Sequence, residues 1–284
     1  MHSLSKAALF AATALTLSAG SALADFDLEI LHNNDFHSRF ESINGYDSAC
    51  SAEDETDGKC FGGAARLLTA INETRDALEA EGKNVILLNA GDNFQGSLFY
   101  TFYKGEMEAE FMNMLGYDAM TVGNHEFDDS EDGLKTFLDI VEFPVVTANV
   151  KTNADSSVND MIEPSIVLDI GGEKVGIIGA VTNDTPEIAN PGKNIDITVD
   201  VDAIKEQVAV LTDQGVNKII ALTHVGYPRD LAAIAVIPGI DVVVGGHSHT
   251  LLSNTDEKAE GPYPTMVDNP DGYKVPVVQA NQYG

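Results

Sequence analysis

Short apolar runs alternate with amphipathic stretches along most of the chain. Phe26 to His32, Val85 to Asn89, Ala119 to Val122, Val145 to Ala148, Ser165 to Leu168, Val175 to Val181, Lys218 to Thr223, Asp241 to Val244 and Val275 to Ala280 are short and apolar-rich, and read as strands. Between them, Phe61 to Glu81 places Ala64, Leu67, Leu68, Ile71 and Leu78 at helical spacing and stops at Gly82. Glu106 to Leu115, Leu134 to Val141, Val201 to Leu211 and Leu231 to Ile237 read as further helices. The polar stretches Asn153 to Asn159 and Ser253 to Asp271 read as surface loops. Strands interleaved with helices predict a layered α/β fold whose sheets are covered by helices, in one large domain. A length of 284 residues is enough to bury a full core. No internal repeat or flexible linker interrupts the pattern. Val275 to Ala280 runs into Asn281-Gln282-Tyr283-Gly284 with no helix, cap or polar tail after it, which reads as a fragment of a longer gene product.

Residues 1–24 follow a different rule. Lys6 precedes an almost unbroken apolar run from Ala7 to Leu17, and Ala22-Leu23-Ala24 supplies small residues before Asp25. That is the pattern of a secretory signal peptide, too short to span a bilayer comfortably. The alternative is a buried N-terminal helix. With the signal removed the mature chain starts at Asp25 and is expected to be periplasmic or secreted. No Cys follows the cleavage site, which argues against a lipid anchor there, and no later stretch approaches the ~20 apolar residues a membrane helix needs. The formal net charge of −29 argues against nucleic-acid polymers, whose phosphates require clustered Lys and Arg. A small phosphate ester stays within reach if bound cations supply local positive charge. Cys50 and Cys60 are the only cysteines. In an oxidising compartment they would clip the acidic loop between them, worth roughly 3 kcal/mol in the chain-entropy account; zinc binding by two Cys without a nearby His is the weaker alternative.

The chemistry lies at strand ends. Of seven histidines, His2 falls in the leader and His32 sits on a strand without another ligand type beside it. The other five fall in short polar clusters, which with Gly91-Asp92-Asn93 each directly follow a strand: Asp35-Phe36-His37, Gly123-Asn124-His125-Glu126-Phe127-Asp128, His224, and Gly246-His247-Ser248-His249. Taken singly, each has an ordinary reading as a turn, a surface pair or a satisfied buried histidine. In open α/β sheets, however, sites gather beyond the carboxyl ends of strands, so all five clusters can converge. Imidazoles, carboxylates and an amide, without thiolate, suit Zn²⁺, Mn²⁺, Fe or Co²⁺. Seven such ligands are too many for one ion and fit two divalent metal ions that share a carboxylate.

In order and spacing, Asp35-x-His37, Gly91-Asp92, Gly123-Asn124-His125-Glu126, His224 and Gly246-His247-x-His249 resemble the calcineurin-like metallophosphoesterase superfamily. Leu31-His32-Asn33-Asn34-Asp35-Phe36-His37 and Gly91-Asp92-Asn93-Phe94-Gln95-Gly96-Ser97 are similar, within it, to the secreted 5′-nucleotidase and 2′,3′-cyclic phosphodiesterase family, over about residues 26 to 284. The resemblance implies a sandwich of two mixed β-sheets flanked by helices, with residues 25–284 as the catalytic domain. It implies Asp35, His37, Asp92 and His249 on one metal, and Asp92 as bridge with Asn124, His224 and His247 on the other. Asn124 and His125 would face the substrate phosphate, with His125 oriented by Asp128 and acting on the leaving oxygen. The implied reaction is in-line hydrolysis of a nucleoside monophosphate by hydroxide activated at the metals, without a phospho-enzyme.

Departures are two. Asn33 stands where Thr is common and is expected in the backbone turn, changing little. Relatives also continue into a second domain that sandwiches the nucleobase between aromatic rings and adds arginines, and that domain is not in this sequence. His32 is expected to be structural, supporting the strand end beneath Asp35. Alternatives on the same fold are cyclic nucleotides, nucleotide sugars or a sulfur ester; a different class is a non-catalytic metal-loaded secreted module, against which the intact His125 and Asp128 argue. Oligomeric state is left open.

Overall fold

The computed structural model describes residues 26–284; the expected leader and His2 lie outside the described residues. The chain opens with β1 (Leu28–Asn33), the one-turn α1 (Ala52–Thr56), α2 (Ala64–Ala80), β2 (Asn84–Asn89), α3 (Leu98–Tyr103), α4 (Glu106–Leu115) and β3 (Ala119–Met120). It continues through α5 (Ser130–Leu138), β4 (Val150–Thr152), β5 (Ser165–Ile170), β6 (Glu173–Val181), α6 (Thr185–Ile188), β7 (Ile195–Ile197) and α7 (Asp200–Asp213). The last elements are β8 (Ile219–His224), α8 (Tyr227–Arg229), β9 (Val242–Val244), β10 (Thr265–Asp268) and β11 (Lys274–Val278).

Two sheets stack between two helical layers. One has the order β1-β2-β3 and is parallel throughout, each crossover carrying helices. The other has the order β10-β11-β9-β8-β6-β5 and is mixed, with antiparallel strands at both edges. A small antiparallel pair, β4 with β7, stands apart. Strand alternation sorts the core. Ile86 and Leu88 of β2 meet Ile177 of β6 and Ile220 and Leu222 of β8 between the sheets, while Leu87 faces the helical layer with Ile71, Phe111 and Met112. On the far side, Ile178 and Ala221 pack against Ile204, Val208 and Leu211 of α7. The layered α/β expectation holds. Parallel pairing of β1, β2 and β3 in one sheet, and of β8 and β9 in the other, sends their carboxyl ends to one edge.

Several local expectations change. Val145 to Ala148 is no regular strand. Val145 bridges Met120, Val146 bridges Glu163 and Ala148 N donates to Gly179 O at 2.8 Å, so its bonds go to three neighbours rather than one ladder. Leu231 to Ile237 is not a regular helix either: a π-type turn over Asp230–Ile234 continues α8, with Ala235 N reaching Asp230 O at 2.9 Å. The polar stretch from Ser253 to Asp271 contains β10, an edge strand that pairs antiparallel with β11. Its polar flanks and half-exposed pattern hide it in the sequence. α5 begins at Ser130, ahead of the apolar residues that mark it, because its first turn is polar.

Candidate functional site

Five strand ends deliver the predicted residues to one open cleft of about 280 Å³, lined by His37, Asp92, Gln95, Gly96, Asn124, His125, His247, His249 and Tyr283. Asp35 and His37 follow β1, Asp92 follows β2, and Asn124 and His125 follow β3. His224 ends β8, and His247 and His249 follow β9. Within it, Asp35, His37 and His249 form one cluster, and Asp92, His224 and His247 a second. Asp35 Oδ1 lies 3.1 Å from His249 Nε2 and 3.7 Å from His37 Nε2. Asp92 Oδ2 lies between the clusters, 3.0 Å from His224 Nε2 and 3.9 Å from His37 Nε2.

The backbone that makes this possible is unusual. Asp35, His37, Asp92, His247 and His249 all have positive φ, between 50° and 76°. That left-handed region costs roughly 1–2 kcal/mol for a residue with a Cβ. Cross-loop bonds hold it: Asp35 N donates to Gly91 O at 2.9 Å, His37 N to Asp92 O at 3.1 Å and Ser38 N to Asn93 O at 2.9 Å. Gly91 and Gly123 are required where these loops touch. Gly91 has φ +85° and a Cβ there would stand 2.5 Å from Gly123 N; a Cβ on Gly123 would overlap Asp92 Oδ1.

The donor set fits divalent cations. His37 Nδ1 pairs with Phe94 O at 3.0 Å and His224 Nδ1 with Ala90 O at 2.6 Å. A neutral ring that donates from Nδ1 presents its Nε2 lone pair, the arrangement found behind metal-ligating histidines. His37 Nε2 and His249 Nε2 face each other at 3.2 Å, two nitrogens that need a shared proton or cation between them. Asp35 Oδ1, Asn124 Oδ1 and His224 Nε2 are all buried without a hydrogen-bond partner, although His224 Nε2 lies close to Asp92. Orphaned polar atoms of that kind are costly unless something coordinates them.

Charge in the cleft is tightly coupled. Burial works against a charged His224, but Asp92 and Asp35 outweigh it and raise its pKa, so these carboxylates favour positive charge at its Nε2, whether a proton or a cation that displaces it. Burial likewise opposes ionisation of Asp92, while His224, then His37 and His125, hold it below the usual carboxylate range. Burial lowers His37 and takes His247 down to about 4, the neutral form a ligand requires. His125 goes the other way. Its Nδ1 pairs with Asp128 Oδ2 at 2.7 Å, which raises it to about 9 against the effect of partial burial.

Several contributors carry no signal of their own in the sequence. Gln95 Nε2 donates to the same Asp128 Oδ2 at 2.7 Å, and Asn34 Nδ2 donates to Asp35 Oδ2 at 2.6 Å. Glu126 is fully buried beneath the site. Asn33 is not in a turn: it ends β1, and its Oδ1 accepts from Tyr117 Oη at 2.7 Å and Asn89 Nδ2 at 3.1 Å, tying the strand ends together. His32 pairs with Tyr263 through Nε2 and the phenol oxygen at 2.7 Å, ring planes nearly parallel; burial lowers it to about 4. Cys50 and Cys60 form a disulfide with Cα atoms 6.0 Å apart, so neither is a free thiolate ligand.

The calcineurin-like phosphoesterase profile matches residues 28–251, which takes in every cluster of the cleft. The chain belongs to the calcineurin-like phosphoesterase family. Snake venom 5′-nucleotidase of Gloydius brevicauda is 42% identical over 284 residues, covering 98% of this chain and 46% of that protein. Among solved structures, the 5′-nucleotidase precursor from Thermus thermophilus superposes with a TM-score of 0.81 at 40% identity, over 91% of this chain and 50% of that one. The NAD nucleotidase of Haemophilus influenzae also reaches 0.81, at 30% identity, over 90% and 45%. The chain thus spans about half the length of these relatives. Among the described residues, no helix is long and apolar enough to cross a membrane.

Proposed function

We propose that this chain is the catalytic domain of a secreted or periplasmic 5′-nucleotidase that hydrolyses nucleoside monophosphates. The observation that carries the reading is the pair of ligand clusters with buried, partnerless Asp35 Oδ1, Asn124 Oδ1 and His224 Nε2 beside the His125–Asp128 dyad. Asp35, His37, Asp92 and His249 would hold one divalent ion, and Asp92, Asn124, His224 and His247 the other. When bound, such ions supply positive charge for phosphoryl oxygens and for activating water. The remaining work belongs to the chain. Asp128 fixes the His125 ring through Nδ1, so a proton held on Nε2 is available to the leaving oxygen of the ester. Asn124, at the same strand end, would donate its amide N–H toward the phosphate. The Cys50–Cys60 disulfide and the 42% identity to a venom enzyme support an oxidising, extracytoplasmic setting, in keeping with the leader pattern of residues 1–24.

The test is phosphate release from 5′-AMP by the purified protein with Mn²⁺, Co²⁺ or Zn²⁺, and its loss on chelation. His125→Ala should keep its metals and lose about 10²-fold or more in turnover. Undetectable turnover with every ion, despite bound metal, would refute the enzyme reading; metal loss in His125→Ala would make His125 a ligand.

A further inference from the structure

Glu126 has 0% exposure and no role in the chemistry above. Its carboxylate is surrounded by backbone donors. Oε2 accepts from Asp92 N at 2.9 Å and Gly123 N at 2.6 Å; Oε1 accepts from Asn93 N at 2.7 Å and Phe94 N at 3.3 Å. One side chain therefore ties the loop after β2 to the turn after β3. Four N–H donors on one carboxylate favour its charged form, and charge-assisted bonds of this kind are about twice as strong as neutral ones.

What those four amides support is specific. Asp92 N belongs to a residue held at φ 55°, whose Oδ1 is occupied by His125 N at 2.9 Å. Its Oδ2 is thereby left facing His224 and His37. Phe94, whose N–H Glu126 receives, presents the carbonyl that orients the His37 ring. Gly123, whose N–H it also receives, precedes Asn124. Three proposed ligands, Asp92, His37 and Asn124, thus hang on amides gathered by a residue that hydrogen-bonds backbone N–H groups.

We infer that Glu126 is a positioning residue for the metal centre: its buried carboxylate sets the aim of Asp92, His37 and Asn124 by gathering the backbone of two strand-end loops. This rests on the proposed metal-binding reading of the cleft. A role confined to stabilising the turn would lower the melting temperature and leave cation affinity alone. A positioning role weakens cation binding in protein that remains folded.

The experiment compares wild type with Glu126→Gln, which keeps the shape but sets an amide N–H₂ against N–H donors. Binding of Zn²⁺ and of Mn²⁺ to metal-free protein is measured by competition with a chromophoric chelator, with near-ultraviolet circular dichroism reporting tertiary structure. The expected result is native-like dichroism with about 10- to 100-fold weaker binding, the range for groups that orient metal ligands. If Glu126→Gln does not fold, Glu126→Asp serves: it keeps the charge but, one methylene shorter, loses reach to one loop, and should weaken binding about tenfold or more. Unchanged affinity in a folded variant would overturn the positioning role. Wild-type protein that binds neither ion would instead overturn the metal reading beneath it.

Discussion

Replacing Asp128 with Asn tests the acid assignment through pH. Asp128 Oδ2 receives His125 Nδ1 at 2.7 Å, and that bond is the largest cause of a His125 pKa near 9 rather than 6.5. Asparagine keeps the shape and an acceptor oxygen but removes the charge, so the pKa should fall back toward 6.5. The sign follows. His125 is proposed to act protonated, so turnover is present below its pKa and is lost as pH rises through it; lowering the pKa moves that loss to lower pH. The size follows from occupancy. At pH 7.5 a group with pKa 9 is almost wholly protonated, whereas one returned to 6.5 is about one-tenth protonated, so kcat falls by up to about tenfold. About a third of the His125 side chain is exposed, and solvent screening makes this an upper bound. Bound cations shift wild type and variant alike, so the displacement between their profiles is the diagnostic. The assay is kcat for phosphate release from 5′-AMP at saturating metal, across pH 5.5 to 10. A rate drop of equal size at every pH, with the alkaline limb unmoved, would refute the acid role and leave Asp128 a packing group.

Two further outcomes are expected. Gly123→Ala would drive its Cβ into Asp92 Oδ1, so metal affinity should fall sharply while circular dichroism stays native-like; unaltered binding would show that Asp92 is not the shared ligand. Asp230 is wholly buried, accepts from Thr223 Oγ1 at 2.7 Å on one oxygen only, and has its pKa raised by burial to about 7 from 3.8. Its folded state binds the proton more tightly than the unfolded one, so this group's contribution is fully present below about pH 3.8 and is lost as pH rises through about 7. Asp230→Asn should therefore melt higher than wild type at pH 8 and not at pH 4; a pH-independent difference would contradict the shift.

The sequence showed which residues gather at the cleft better than it showed how they are held. Asp35, Asp92, Asn124 and the five histidines announced themselves because polar ligand types directly follow apolar strand-like runs. Long, periodic elements were legible for the same reason, as α4 at Glu106–Leu115 shows. Val146 and Ala148 were not, because their backbone bonds go to different neighbours, a tertiary matter that no local pattern records. β10 stayed hidden because an exposed edge strand has little apolar signal. Glu126, Gln95 and Asn34 act through hydrogen bonds to groups near in space, and nothing in their residue type separates such a role from that of a solvated side chain.

The left-handed cleft residues and the buried carboxylate are two sides of one constraint. Cleft side chains drawn from two separate sheets meet within a few ångströms, as His224 Nε2 and Asp92 Oδ2 do at 3.0 Å. A strand leaves its sheet edge in the direction of its axis, so each chain has to turn at once to bring side chains inward. That turn is what places Asp35, His37, Asp92, His247 and His249 at positive φ. At roughly 1–2 kcal/mol per residue the five together strain the loops by an amount comparable to a domain's whole net stability. Bonds between the loops must offset most of it: Gly91 O and Asp92 O receive Asp35 and His37, and Glu126 gathers four amides. Because these bonds run from loop to loop, each turn is fixed by its neighbours, and the strain persists where the surrounding hydrogen bonds over-determine it.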